Sequence, residues 1–168
     1  VQWEDGASLR RDERIAAQVI AIRSGAVRLQ FDDGVEVTLQ GPARYELVAP
    51  AKTRLTAGLL TATVPPGAEG FRVETPTAKV IDLGTAFGVQ LDADGASHVS
   101  VFDGDVEVAL PESGESKMVR EGEAVRVETG QSIAPVVFDT EDFEKIWPIS
   151  SGRPPMRWRL ESRGLLPS

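Results

Sequence analysis

Apolar and polar positions alternate along most of this chain. From about Ala17 to Phe138 the period is two, broken every few residues by glycine-containing turns, which is the signature of short half-buried strands. Val27, Leu29 and Phe31 alternate with Arg28 and Gln30; Asp32-Asp33-Gly34 follows, and Val35, Val37 and Leu39 then alternate with Glu36 and Thr38. That is the pattern of a hairpin with one apolar and one polar face. A similar phrase returns downstream: Val99 and Val101 precede Asp103-Gly104, and Val106, Val108 and Leu110 alternate with Glu107 and Ala109. The segments VRLQFDDGVEVTL and VSVFDGDVEVAL therefore read as two versions of one hairpin. Further strands are expected at 18–22, 44–49, 52–56, 58–64, 70–75, 78–83, 86–91, 116–120 and 123–128. No segment between 17 and 138 carries a 3.6-residue period. The expected fold class is all-β, with about a dozen short, mostly antiparallel strands in a sandwich or a solenoid-like stack of hairpins.

The two ends differ in character. Residues 1–16 mix charges with Trp3 and Leu9 and are expected to form an N-terminal lead-in, either a short strand or a helical turn. After Phe138 the run Asp139-Thr140-Glu141-Asp142-Phe143-Glu144 predicts a helix start, with Thr140 as N-cap and acidic groups in the first turn. Pro148, Pro154 and Pro155 stop anything longer, and Arg153, Arg157, Arg159 and Arg163 follow. The chain thus divides into a lead-in at 1–16, a β domain at 17–138 and a linker or tail with a short helix at 139–168.

Composition narrows the chemistry. Valine outnumbers leucine, an excess of β-branched residues that suits pleated sheets. With 168 residues the chain is long enough to bury a core without staples. It has no cysteine and one histidine, His98, which excludes disulfide frameworks, thiolate metal sites, thiol nucleophiles and any site built on two histidines. A net charge of −8 argues against nucleic-acid binding. No apolar run approaches the roughly 18 residues of a membrane span.

His98 and Ser100 share one face of an expected strand, but on the polar side of a hairpin rather than in a rigid site of the kind a Ser-His-Asp arrangement needs. Asp92, Asp94 and Gly95 resemble the opening of a calcium loop, yet the later ligands are missing and the spacing reads as an Asx-rich turn. No catalytic, cofactor-binding or metal-ligating residue is expected, and the chain does not read as an enzyme.

One stretch, Phe71 to Leu110, carries a resemblance. Thr75-Pro76, then Leu83-Gly84-Thr85-Ala86-Phe87-Gly88-Val89, then Val101-Phe102-Asp103-Gly104-Asp105-Val106-Glu107-Val108 are similar in order and spacing to the core signature of the FecR-like domain family. Arg120-Glu121-Gly122-Glu123-Ala124 resembles the family's turn after that hairpin, and Ser24-Gly25 to Ala43 resembles the opening strands of one branch. Read from their chemistry, Thr75, Pro76, Leu83, Gly84, Thr85, Phe87, Val89, Gly104, Val106, Glu107, Val108 and Gly122 are structural residues. Pro76 forces an extended entry without a ladder donor, and Gly84 permits a bulge or a close backbone approach.

The resemblance implies the periplasmic sensor and regulatory domain of a membrane-anchored anti-sigma regulator, with its anchor upstream, in a bacterial cell envelope. It further implies a protein partner, the signalling domain of an outer-membrane TonB-dependent transducer. The alternative is an extracellular scaffold or polysaccharide-binding module without a signalling role. Because a sheet that does not close leaves an edge ready for a partner's strand, two candidate edges are expected, around Val64 to Phe71 and at Ala124, Val125, Arg126, Val127 and Glu128.

Overall fold

The computed structural model describes residues 2–3, 19–31, 33–49, 51–129, 133–139, 141–143, 146 and 161–163. Among these residues fourteen strands join one sheet: β1 Gln2–Trp3, β2 Val19–Ser24, β3 Ala26–Gln30, β4 Glu36–Ala49, β5 Lys52–Thr63, β6 Arg72–Glu74 and β7 Lys79–Asp82, then β8 Ala86–Leu91, β9 Ser97–Asp103, β10 Asp105–Ala109, β11 Ser116–Arg120, β12 Ala124–Val127, β13 Ile133–Val136 and β14 Glu161–Arg163. All pairings are antiparallel except β5 with β6. The all-β expectation holds.

Its construction differs from a stack of hairpins. β4 and β5 are long, bent strands paired with each other on both sides of a corner. On the first side β4 also pairs with β2, and the ladder continues through β6, β7, β10 and β11. On the second side β4 pairs with β3, and the ladder continues through β8, β9, β12 and β13. The sheet thus folds over into two halves that share β4 and β5. Inward side chains of both halves, among them Tyr45, Leu55, Val80 and Val106 from the first and Leu39, Leu60, Phe87 and Val101 from the second, form one continuous core.

The crossings between halves fall in two ranks at opposite ends. Gly25, Gly41-Pro42 and Gly58 lie at one end, where β2 passes to β3 and where β4 and β5 bend. Gly84, Gly104 and Gly122 lie at the other, where β7 passes to β8, β9 to β10 and β11 to β12. At Gly104 the geometry requires glycine: φ is +80°, and a Cβ there would stand 2.5 Å from the Gly84 carbonyl oxygen and 2.8 Å from the Thr85 Cγ2. Adjacent corners are in direct contact, so the rank is packed as a unit.

Two expectations are corrected. The first repeated phrase is a hairpin, with Val27 opposite Leu39 and Leu29 opposite Val37. The second is not: β9 pairs with β8 and β12, whereas β10 pairs with β7 and β11. A single residue, Gly104, separates β9 from β10, too few to reverse a chain, so the strand turns a corner and changes half. Likewise 44–49 belongs to the same strand as 36–40, and 52–56 to the same strand as 58–63, because Gly41-Pro42 and Gly58 bend the ladder without ending it.

At the ends, β1 pairs with β2 and β14 pairs with β3; the rest of the 1–16 lead-in, and Thr140, lie outside the described residues. Among the described residues there is no helix after Phe138. Glu141–Phe143 is a turn whose Glu141 N–H is accepted by the Asp139 carboxylate at 3.0 Å. The turn lays Phe143 on the outer face of the second half, where Ala26, Leu59, Ile146 and Phe102 surround it. Its ring sits on Gly88, the residue that leaves room for it: a Cβ there would approach the ring to 2.5 Å.

Candidate functional site

The motif residues converge on the two ends of the folded sheet. At the end bearing Gly25 and Gly58, Thr75 closes the β6–β7 turn, where its Oγ1 accepts from the Ala78 N–H at 2.9 Å. The same hydroxyl lies 2.7 Å from the Ser97 hydroxyl at the start of β9, and Thr77 lies 2.6 Å from it on the other side. All three are buried. No strand crosses between β7 and β8 at this end, so the hydroxyl cluster ties the two halves where the backbone does not. Pro76 caps the turn outside it and is exposed.

At the opposite end the Leu83-Gly84-Thr85 segment wraps around Asp82. Asp82 is fully buried; its carboxylate accepts from the Gly84 N–H at 2.8 Å and from the Thr85 hydroxyl. Burial pushes its pKa up from 3.8 to about 7, against the pull of hydrogen bonds from the Gly84 and Thr85 backbone, and the nearby Glu69 charge adds to the rise. Glu69 itself accepts from the Gly67 N–H at 3.0 Å, and backbone donors hold its carboxyl below the ordinary range. Phe87, Val89, Val106 and Val108 are core, as their spacing predicts, whereas Leu83 is 44 % exposed and Glu107 lies on the outer face. The motif is therefore a scaffold for a corner. The buried ionisable group at this corner is Asp82, which lies outside the motif and reads in the sequence only as a carboxylate at an inward position of β7.

A second cluster occupies the outer face near the β8–β9 turn. The Asp92 carboxylate lies 2.9 Å from His98 Nε2 and 3.3 Å from Arg126 Nη2; the same guanidinium reaches Asp94 at 3.4 Å and Glu128 at 2.9 Å. Burial alone would raise the Asp92 carboxyl, but the hydrogen bond and charge of His98, with Arg126, hold it below its ordinary value. Asp92 to Gly95 form a turn closed by the backbone, with the Gly95 N–H donating to the Asp92 main-chain carbonyl at 3.0 Å. His98 and Ser100 share a face and line a cavity of about 360 Å³ with Gln90 and Phe143. His98 is hydrogen-bonded to Asp92 and not to Ser100, so the two are not joined as a nucleophile and its base. Among the described residues no group of three or more His, Cys, Asp or Glu is arranged to hold a metal ion.

Both expected partner edges are corrected. β12, from Ala124 to Val127, is flanked by β9 on one side and β13 on the other, so its backbone donors are engaged in ladders. Arg126 is tied to three carboxylates, and Ala124, Val125 and Val127 are buried. Residues 64–71 form the crossover that joins β5 to the parallel strand β6, fastened by Val64 N to Thr85 O at 2.8 Å. Among the described residues, the ladder through β12 ends at β13 and the ladder through β10 ends at β11. β13 carries Pro135, whereas β11 has an exposed Met118 and no proline.

Two crystal structures of a candidate anti-sigma factor from Parabacteroides distasonis ATCC 8503, at 2.50 Å and 1.65 Å, share the fold with TM-scores of 0.63 and 0.62 and sequence identities of 22% and 23%. They align with 76% and 75% of this chain; the chain spans 63% and 62% of theirs, less than two thirds of their length. No match is found among curated proteins. Residues 18–107, more than half the chain and including five of the six corners, match the family described as FecR protein, and the chain belongs to that family.

Proposed function

We propose that this chain is the periplasmic sensor and regulatory domain of a membrane-anchored FecR-type anti-sigma regulator, working by protein–protein contact in the cell envelope. The observation that carries the reading is the family match over residues 18–107, supported by a fold shared with a candidate anti-sigma factor. The chemistry of the motif is in keeping with it: Thr75, Ser97, Asp82 and Thr85, all buried, are spent on holding turns and corners. Among the described residues no helix is long and apolar enough to cross a membrane. The partner is the signalling domain of an outer-membrane TonB-dependent transducer, paired by its backbone to a free edge of the sheet. β11 is the better edge, because Pro135 removes a donor from β13.

These 168 residues hold no cysteine, so a direct test compares a single-cysteine variant of this domain with the unsubstituted full-length protein. A single cysteine placed at Glu112, in an exposed turn, is introduced into the full-length protein in its host. A membrane-impermeant maleimide labels it once the outer membrane is opened, without breaking the inner membrane. Labelling that requires inner-membrane lysis overturns the location. Titration of the domain with the transducer's signalling domain is then expected to give a complex that Met118→Pro, at an exposed position of β11 opposite Glu107 of β10, abolishes while a glycan panel stays silent.

A further inference from the structure

The outer face of the first half is unlike the rest of this acidic protein. Four neighbouring strands place Lys52 and Arg54 (β5), Arg72 and Glu74 (β6), Lys79 (β7) and Glu46 (β4) on one outward surface. In the register Lys52 faces Arg72, Arg54 faces both Glu46 and Glu74, and Glu74 faces Lys79. Four cations stand against two carboxylates, within a chain whose net charge is −8. Three of the cations share a single carboxylate at long range: Lys52 Nζ, Arg54 Nη2 and Arg72 Nη1 each lie 3.9 Å from Glu74. That is beyond hydrogen-bond distance, so none spends a donor on Glu74. Arg54 makes one closer contact, to Glu46 at 3.3 Å, while the Lys52 and Arg72 side chains remain about two-fifths exposed.

Charge complementarity indicates what fits. We infer that this face docks an acidic segment of a protein partner, whose carboxylates are received by Lys52, Arg72 and Lys79 around Glu74. The inference rests on the proposed role in protein–protein signalling and adds the chemistry of the surface the partner presents. An anionic bilayer fits less well, because a uniform negative surface meets Glu46 and Glu74 as well as the cations, and the chain as a whole is repelled by it. A second copy of this chain is disfavoured by the same net charge.

The test uses the full 168-residue chain and a fluorescent decaglutamate peptide as probe, followed by anisotropy at low and at physiological salt. Saturable binding is expected that weakens with salt and weakens about tenfold in the double variant Lys52→Gln/Arg72→Gln. The control Lys117→Gln/Arg120→Gln removes the same charge from β11 and is expected to leave binding within about twofold, the scale of a generic charge effect. Unchanged thermal unfolding shows that both variants fold. No binding at low salt, equal losses in the two double variants, or tighter binding to phosphatidylglycerol vesicles than to the peptide each overturn the inference. So does self-association that Lys52→Gln/Arg72→Gln abolishes, which assigns the face to a second copy. Failure of the transducer titration with decaglutamate binding intact would count against the proposed role and not against this surface.

Discussion

Replacing Asp82 by asparagine isolates the cost of keeping a carboxyl group at the Leu83-Gly84-Thr85 corner. Asp82 is fully buried, and its pKa rises from 3.8 to about 7 chiefly through burial. A carboxyl group whose folded pKa lies above its unfolded one binds more protons in the folded state between the two values. Its contribution is therefore complete below about pH 4 and is lost as pH rises through about 7. The full span is worth about 4 kcal/mol, at ~1.4 kcal/mol per tenfold change in proton affinity, and roughly 2.5 kcal/mol of it falls between pH 5 and pH 8. Asparagine keeps the size and still accepts from Thr85 or Gly84, but does not titrate. Urea unfolding at pH 5, 6, 7 and 8 is expected to show wild type losing roughly 2.5 kcal/mol relative to Asp82→Asn across that range, since the other titrating groups are common to both proteins. Parallel profiles, or a wild type that gains on the variant as pH rises, would refute the reasoning.

Other consequences follow from the packing. Gly104→Ala is expected to lower stability by about 3 kcal/mol, from left-handed strain plus a Cβ pressed against the Gly84 carbonyl. Gly95→Ala has φ +89° but open space and is expected to cost only about 1 kcal/mol in the same urea assay. Phe143→Ala empties the outer-face cluster over Gly88 and is expected to cost about 3 kcal/mol, read as a lower denaturation midpoint. Calcium in the micromolar range is expected to leave the melting temperature unchanged, because the Asp92 and Asp94 carboxylates are already paired with His98 and Arg126.

The strands were legible because the core faces obey period two almost without exception: Val35, Val37 and Leu39 are buried, as are Val99 and Val101. What periodicity does not carry is the difference between a turn that reverses a strand and a corner that bends it. Gly34 and Gly104 stand in nearly the same local sequence, yet the first reverses the chain and the second passes it to the other half. The motif was visible through Gly84, Thr85 and Phe87, but the buried acid beside it was not, since Asp82 continues the alternation of Val80 and looks like an ordinary polar interruption. The edge was misplaced for a related reason. Val125 and Val127 read as a strand, but that β13 would cover it depends on a pairing beyond the local pattern. The basic face is not legible in the sequence because its cations span 27 positions, Lys52 to Lys79, and only the register of β4 to β7 assembles them.

The regulatory role is tested most directly by transcription in the host. Full-length protein is compared with a version lacking the β domain, residues 17–138, and σ-dependent transcripts are measured by RNA sequencing with and without the envelope signal. A periplasmic sensor domain predicts that one σ regulon responds to the signal in the intact strain and is locked, with no response, in the deletion strain. A regulon that responds equally in both strains would contradict it.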